Sequence, residues 1–150
     1  NGEIIYSDGS ADFEYVKNIN NKKCSIRSIN TATGIKSFGI IQLLIKSGIL
    51  TDSTVLIIDE PEVHLHPEWQ LKYAHIMVKL VKYGIPVVIS SHSPYMIQAL
   101  RYYSVKEEID DISKYYLAEK DENELVEIKD VGDDLNKVFQ KLAKPLGKVM

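Results

Sequence analysis

Residues Val55-Leu56-Ile57-Ile58-Asp59-Glu60 set four aliphatic side chains in a row and then two carboxylates. The continuous β-branched and aliphatic run Thr54–Ile58 predicts a strand buried on both faces of a parallel sheet. Asp59 and Glu60 then emerge at its C-terminal end, where ligands of open α/β sheets bind. The competing reading of such a stretch is a strand that ends in a solvated acidic turn.

The flanks decide between them. Downstream, Pro67 suits the first position of a helix, which is expected to bury Trp69, Tyr73, Ile76, Met77 and Leu80 and to stop at Gly84. Pro86–Ser90 reads as the next buried strand, and Ser93-Pro94 caps and opens a helix to about Leu100. Strand, helix, strand, helix at these lengths predicts a βαβ unit with a right-handed crossover. Upstream, Thr31-Ala32-Thr33-Gly34 opens a helix to about Ser47, with Phe38, Ile41, Leu44 and Ile45 at helical spacing. Before it, Ile4–Tyr6, Phe13–Val16 and Cys24–Ile29 read as strands separated by turn clusters. After it all, Tyr115–Ala118 and Leu125–Lys129 flank a polar turn suited to a hairpin, and an amphipathic helix runs over roughly Leu135–Leu142. The expected fold class is α/β: a mostly parallel central sheet with flanking helices and a C-terminal antiparallel hairpin.

Composition bounds the function. At 150 residues, with 45% hydrophobic and 26% charged residues, the chain is one ordinary globular domain. A net charge of −3 gives no global attraction to nucleic acid, so any DNA contact needs a local patch. Cys24 is the single cysteine, which excludes an intrachain disulfide and favours a reducing, cytoplasmic setting. The apolar runs Val55–Ile58 and Ile85–Ile89 are far below the ~20 residues of a membrane span. Asn1 stands where a chain start would carry Met, and the strand-like Glu3–Tyr6 follows at once, so the sequence reads as part of a longer protein.

The chemistry sits at the two strand ends. Asp59 has the oxygen chemistry that magnesium takes, usually through water. Glu60 can accept a proton from, or polarise, a water attacking a γ-phosphate in line. Ile89-Ser90-Ser91-His92 ends the neighbouring strand, which puts His92 beside that edge as a donor to a phosphate oxygen. A rival reading is a metal-dependent nuclease with Asp59, Glu60 and Glu62 as a two-metal cluster, although Glu62 lies beyond Pro61 and is expected to turn away from Asp59. Another is a non-hydrolysing clamp or partner-docking module. Gly34-Ile35-Lys36-Ser37 is not a P-loop end, and the sequence contains no G-x-x-x-x-G-K-[ST]. His64, His66, His75 and His92 lack the cysteines and spacing of a structural zinc site.

Asp59-Glu60-Pro61-Glu62-Val63-His64-Leu65-His66-Pro67, followed by Ser90-Ser91-His92-Ser93-Pro94, resembles the ABC-type ATPases of the RecF/SMC-like group. Within it, the chain is similar to AAA-family ATP-binding proteins that include the overcoming-lysogenisation-defect nucleases and related defence ATPases. The likeness covers roughly residues 24 to 103. It implies a P-loop NTPase fold with Walker B at Val55–Asp59, a magnesium carboxylate at Asp59, the catalytic glutamate at Glu60, a D-loop around His64–His66 and the switch histidine at His92. Thr31-Ala32-Thr33-Gly34-Ile35-Lys36 takes the place of the signature, whose general form is L-S-G-G-Q. Ile35, Lys36 and His66 depart from the common pattern. The resemblance further implies a homodimer that sandwiches ATP and Mg2+ between one subunit's P-loop and the Thr33-Gly34 signature of the other. Gly34 at a helix N-terminus, with free N–H groups and a positive dipole, suits that anion. Residues 1–150 then form the C-terminal part of an ABC-type head, and the P-loop and Q-loop are expected elsewhere in the protein. DNA or a partner nuclease is the kind of target such heads serve, with no membrane involvement.

Overall fold

The computed structural model describes residues 2–7, 12–27, 33–132 and 134–144. It opens with an antiparallel sheet of β1 (Gly2–Ser7), β2 (Asp12–Ile19) and β3 (Lys22–Arg27) in the order β1-β2-β3. Helix α1 (Thr33–Lys46) follows, then β4 (Leu56–Asp59), α2 (Pro67–Lys82), β5 (Val87–Ser90) and α3 (Pro94–Lys106). The antiparallel hairpin of β6 (Tyr116–Lys120) and β7 (Val126–Asp130) and the short helix α4 (Asn136–Ala143) complete the order.

The βαβ unit is the centre of the fold. Strands β4 and β5 pair in parallel, with Leu56 opposite Val87 and Asp59 opposite Ser90. That register brings the two strand ends level, so the residues after them share one edge. Leu56, Ile58, Val87 and Ile89 face inward onto a core of Ile41, Leu65, Tyr73, Ala74, Met77, Leu80, Met96 and Ala99. Met77 and Met96 are fully enclosed, and each contributes on the order of 1.5–3 kcal/mol of burial. Burial pushes the Tyr73 phenol up to about 12.

Local chemistry sets the helix limits. Pro67 and Pro94 occupy the first turns of α2 and α3, where a missing N–H goes unnoticed. The Ser93 hydroxyl caps α3 by accepting from Met96 N, and His66 caps α2 through its ring nitrogen. Gly84, at φ +85°, takes the left-handed conformation that ends α2. Glu107 ties the two helices at their far ends: Lys82 and His75 of α2 both reach its carboxylate, and His75 stacks flat on Tyr103 at 4.2 Å. A second cluster of Ile97, Val131, Leu135 and Val138 seats the hairpin segment and α4 on α3.

Several expectations change. Strands β4 and β5 alternate rather than being covered on both faces: Ile57 is 74% exposed, and Val88 is open on the same pattern. The parallel sheet therefore spans two strands among the described residues, and the remaining pairings are antiparallel. Helix α3 runs past Leu100 to Lys106, because Ser104 continues the buried side of Ile97 and Ala99 with its hydroxyl satisfied by Leu100 O. Trp69 is 49% exposed instead of buried. It sits in the first turn of α2, edge-on to Phe38, with the Lys72 ammonium over its ring.

Candidate functional site at the ends of two parallel strands

Asp59 is the last residue of β4, and its Oδ1 accepts the Ser90 hydroxyl of β5 directly opposite. The next residue, Glu60, leaves the strand with φ +44°, in the left-handed region that a residue with a Cβ avoids. Such strain amounts to about 1–3 kcal/mol and concentrates at functional sites. It is held here by two bonds from Glu60 N, to Ser90 O and to Ser90 Oγ, both 3.2 Å. The turn that follows is closed by Val63 N to Glu60 O at 3.1 Å and Leu65 N to Glu62 O at 2.9 Å. His92 Nε2 lies 3.0 Å from Glu60 Oε1, with the imidazole 81% exposed. One edge thus collects an open carboxylate beside a hydroxyl, a strained glutamate, and an imidazole on that glutamate. All three residues predicted from the strand ends, Asp59, Glu60 and His92, meet.

The arrangement has a definite chemical capacity. Asp59 and Ser90 offer oxygens of the kind a hard cation takes while keeping most of its water. Glu60, in contact with His92, pairs a proton acceptor with an exposed imidazole that can donate a hydrogen bond.

The remaining predicted residues form a second group. Gly34, His64 and His66 line a cleft of about 610 Å³ with Ile4, Phe38 and Trp69. A Cβ on Gly34 would stand 2.9 Å from Leu65 Cδ2, so the glycine lets the start of α1 lie close on the turn after Glu60. His64 has φ +66° and is exposed. His66 spends Nδ1 on Glu68 N at 3.3 Å, which gives it a capping task. The backbone of Thr33 opens α1; its side chain, with Thr31 and Ala32, lies outside the described residues.

Ser90 and Gln70 bond within this edge without having been singled out in the sequence, and Glu62, read there as a third acidic ligand or a residue turned away from Asp59, finds other partners. Glu62 turns its carboxylate to the loop carrying His92: Oε1 accepts from Ser91 Oγ at 2.7 Å, His92 N at 2.8 Å and Ser93 N at 3.1 Å. That commitment removes it from a cluster with Asp59 and Glu60. Among the described residues no three His, Cys, Asp or Glu side chains are grouped to hold a metal ion. The signal for Ser90 was its position opposite Asp59; for Glu62 and Gln70 no sequence pattern exposes a tertiary partner.

The profile of a family described as "AAA ATPase domain" matches residues 10–97, more than half of the chain. The Septu protein PtuA of Bacillus thuringiensis is 42% identical over 48 residues, which is 30% of this chain and 11% of PtuA. The match thus spans about a tenth of that relative's length. A solved structure described as "Structural biochemistry of ATP-driven dimerization and DNA stimulated activation of SMC ATPases" superposes with a TM-score of 0.62. It shares 10% identity and is covered over 95% of this chain and 80% of its own, a likeness of fold. No helix among the described residues is long and apolar enough to cross a membrane. An α/β fold shared with an SMC ATPase structure and a family match that takes in the whole βαβ unit lead to one conclusion: the chain belongs to the AAA ATPase domain family.

Proposed function

We propose that this chain supplies the hydrolytic edge of a cytoplasmic ATP-driven head that dimerises around its nucleotide. The observation that carries the reading is the 3.0 Å approach of His92 to Glu60 at the ends of two parallel strands, beside Asp59. Asp59, with Ser90, would hold magnesium, and the ion would supply charge neutralisation for the nucleotide phosphates. Glu60 orients the attacking water and takes its proton, and its strained backbone fixes the carboxylate beyond the strand end. His92 donates to the γ-phosphate oxygens as charge develops on them.

The N-terminus of α1, with Thr33-Gly34, presents free N–H groups toward the nucleotide of a second copy, and the His64–His66 turn packs beside it as the D-loop. The P-loop half is a separate part of the complete protein in this reading. ATP-driven dimerisation and DNA-stimulated activation, named for the SMC neighbour, are the behaviour we infer for the whole molecule, with DNA or an effector nuclease as the partner class.

Mixing complementary variants of the complete protein tests it. Gly34→Asp places bulk and negative charge where the partner's phosphate must approach. Asp59→Asn weakens the magnesium side. Each alone is expected to be nearly inactive, while the mixture regains ATPase activity from one composite site per heterodimer. A mixture no more active than either variant refutes action across the dimer.

A further inference from the structure

Glu62 is 9% exposed, and its two carboxylate oxygens are treated very differently. Oε1 accepts three hydrogen bonds, from the Ser91 hydroxyl and from His92 N and Ser93 N. Oε2 is buried with no hydrogen-bond partner among the described residues. A half-satisfied buried carboxylate is a poor device for stability, since an unpaired polar atom out of water is costly. An apolar side chain of similar volume would fill the space without that cost. What the carboxylate does achieve is specific: it clamps the three-residue loop between β5 and α3 by two consecutive backbone N–H groups, one of them that of His92.

The His92 side chain needs such a clamp. It is 81% exposed, and the contact the structure gives it is Glu60 Oε1. Its placement therefore comes from the backbone beneath it. The other end of the loop is fixed as well. Ser93 Oγ donates to Gln70 Oε1 at 2.5 Å, and buried Gln70 donates from Nε2 to Leu65 O at 3.0 Å. Glu62 and Gln70 belong to the turn after Glu60 and the helix it feeds, so the segment that carries Glu60 also holds the loop that carries His92.

We propose that Glu62 is a positioning residue for hydrolysis, holding His92 on Glu60 through the backbone N–H groups of residues 92 and 93. This rests on the reading of the Glu60–His92 edge as the ATPase site. Glu62 touches neither nucleotide nor water in this role and acts through His92.

The test is a double-mutant cycle in the complete protein, reading kcat and KM for ATP. His92→Ala is expected to lower kcat by ~10²-fold or more. Glu62→Ala is expected to lower kcat by about 10- to 100-fold with KM changed less than about twofold, because displacement of a catalytic group by ~1 Å has effects of that order. In the His92→Ala background, Glu62→Ala should cost less than about twofold further. Glu62→Gln keeps an oxygen for the two N–H groups and should recover most of the loss. Losses that multiply, or a rise in KM at constant kcat, overturn the positioning role while leaving the site intact. A His92→Ala enzyme with the normal rate overturns the ATPase reading and this inference together. Should Glu62→Ala fail to fold, Glu62→Met, which fills the space without an acceptor oxygen, carries the test in both backgrounds: a loss in kcat that vanishes without His92 supports the role, and no loss, or an equal loss in both, refutes it.

Discussion

Gly39 sits in the middle of α1 where a helix gains from alanine, yet alanine should be harmful there. Replacing glycine by alanine in a helix interior is worth about 1 kcal/mol of propensity. Against that, a Cβ at Gly39 would fall 1.9 Å from Ile4 Cδ1, 2.4 Å from Cγ1 and 3.0 Å from Cβ. The first two atoms can swing away, but the last is fixed to the β1 backbone, and Ile4 is buried with its N–H bonded to Gln42 Oε1 at 3.1 Å. Relief must come from moving helix against sheet, which sets the overpacking near the top of its usual range, about 3 kcal/mol. The net for Gly39→Ala is then about 2 kcal/mol of destabilisation, or a fall in Tm of ~4–8 °C at ~2–4 °C per kcal/mol. Ile4→Ala deletes the two nearest atoms, so Gly39→Ala in that background should become neutral or stabilising, a coupling of about 2 kcal/mol or more. Thermal and urea unfolding of the parent, the two single variants and the double variant, followed by far-ultraviolet circular dichroism, gives all the terms. A higher Tm for Gly39→Ala with Ile4 present would mean that α1 does not lie on β1. It would then also remove the support that aims the Gly34 end of the helix.

Two further outcomes are expected. The Lys82 ammonium, then His75, hold the Glu107 carboxyl down at about 2 from an ordinary 4.5. A depressed folded-state value makes this group stabilising above about pH 4.5, with the contribution lost as pH falls toward 2; Glu107→Gln should flatten the thermal-melt profile across that window, and an unchanged slope would rule the cluster out as its cause. Ser90→Ala removes the hydroxyl that binds Asp59 and accepts from Glu60 N, while Ser90 O still holds the turn. It should lower kcat about tenfold with a stability change of about 1 kcal/mol or less, checked by steady-state turnover beside a melt, and undiminished turnover would mean Ser90 does not place the carboxylates.

The βαβ unit was legible because its signals are local. Aliphatic runs, the prolines at 67 and 94, the Ser93 cap and the glycine at 84 each act within a turn of where they stand. The same holds for Asp59, Glu60 and His92, whose meeting follows from strands ending level. Exposure was not legible in this way. Ile57 and Val88 are as aliphatic as Ile58 and Ile89, and only the placement of α2 and α3 on one face tells them apart. Trp69 looks like core by type, but its place in the first turn of α2 leaves half of it at the cleft rim. Glu62 is the clearest case. Sequence offered it as a third acidic ligand or a residue turned away, and its actual partners lie about 30 residues on, two of them backbone N–H groups with no side-chain signature.

Single-turnover hydrolysis by the Glu60→Gln form of the complete protein probes the hydrolytic edge most directly. The amide keeps the size of the side chain and can still accept from His92, but it cannot serve as a base. Nucleotide binding should stay within about threefold of normal, while the hydrolysis rate falls by ~10²–10⁴-fold, the usual contribution of general-base catalysis. Size-exclusion chromatography of the same samples should show an ATP-bound dimer that persists. Hydrolysis at the normal rate by Glu60→Gln would contradict the assignment of Glu60, and with it the reading of the Asp59–Glu60–His92 edge as the place where ATP is cleaved.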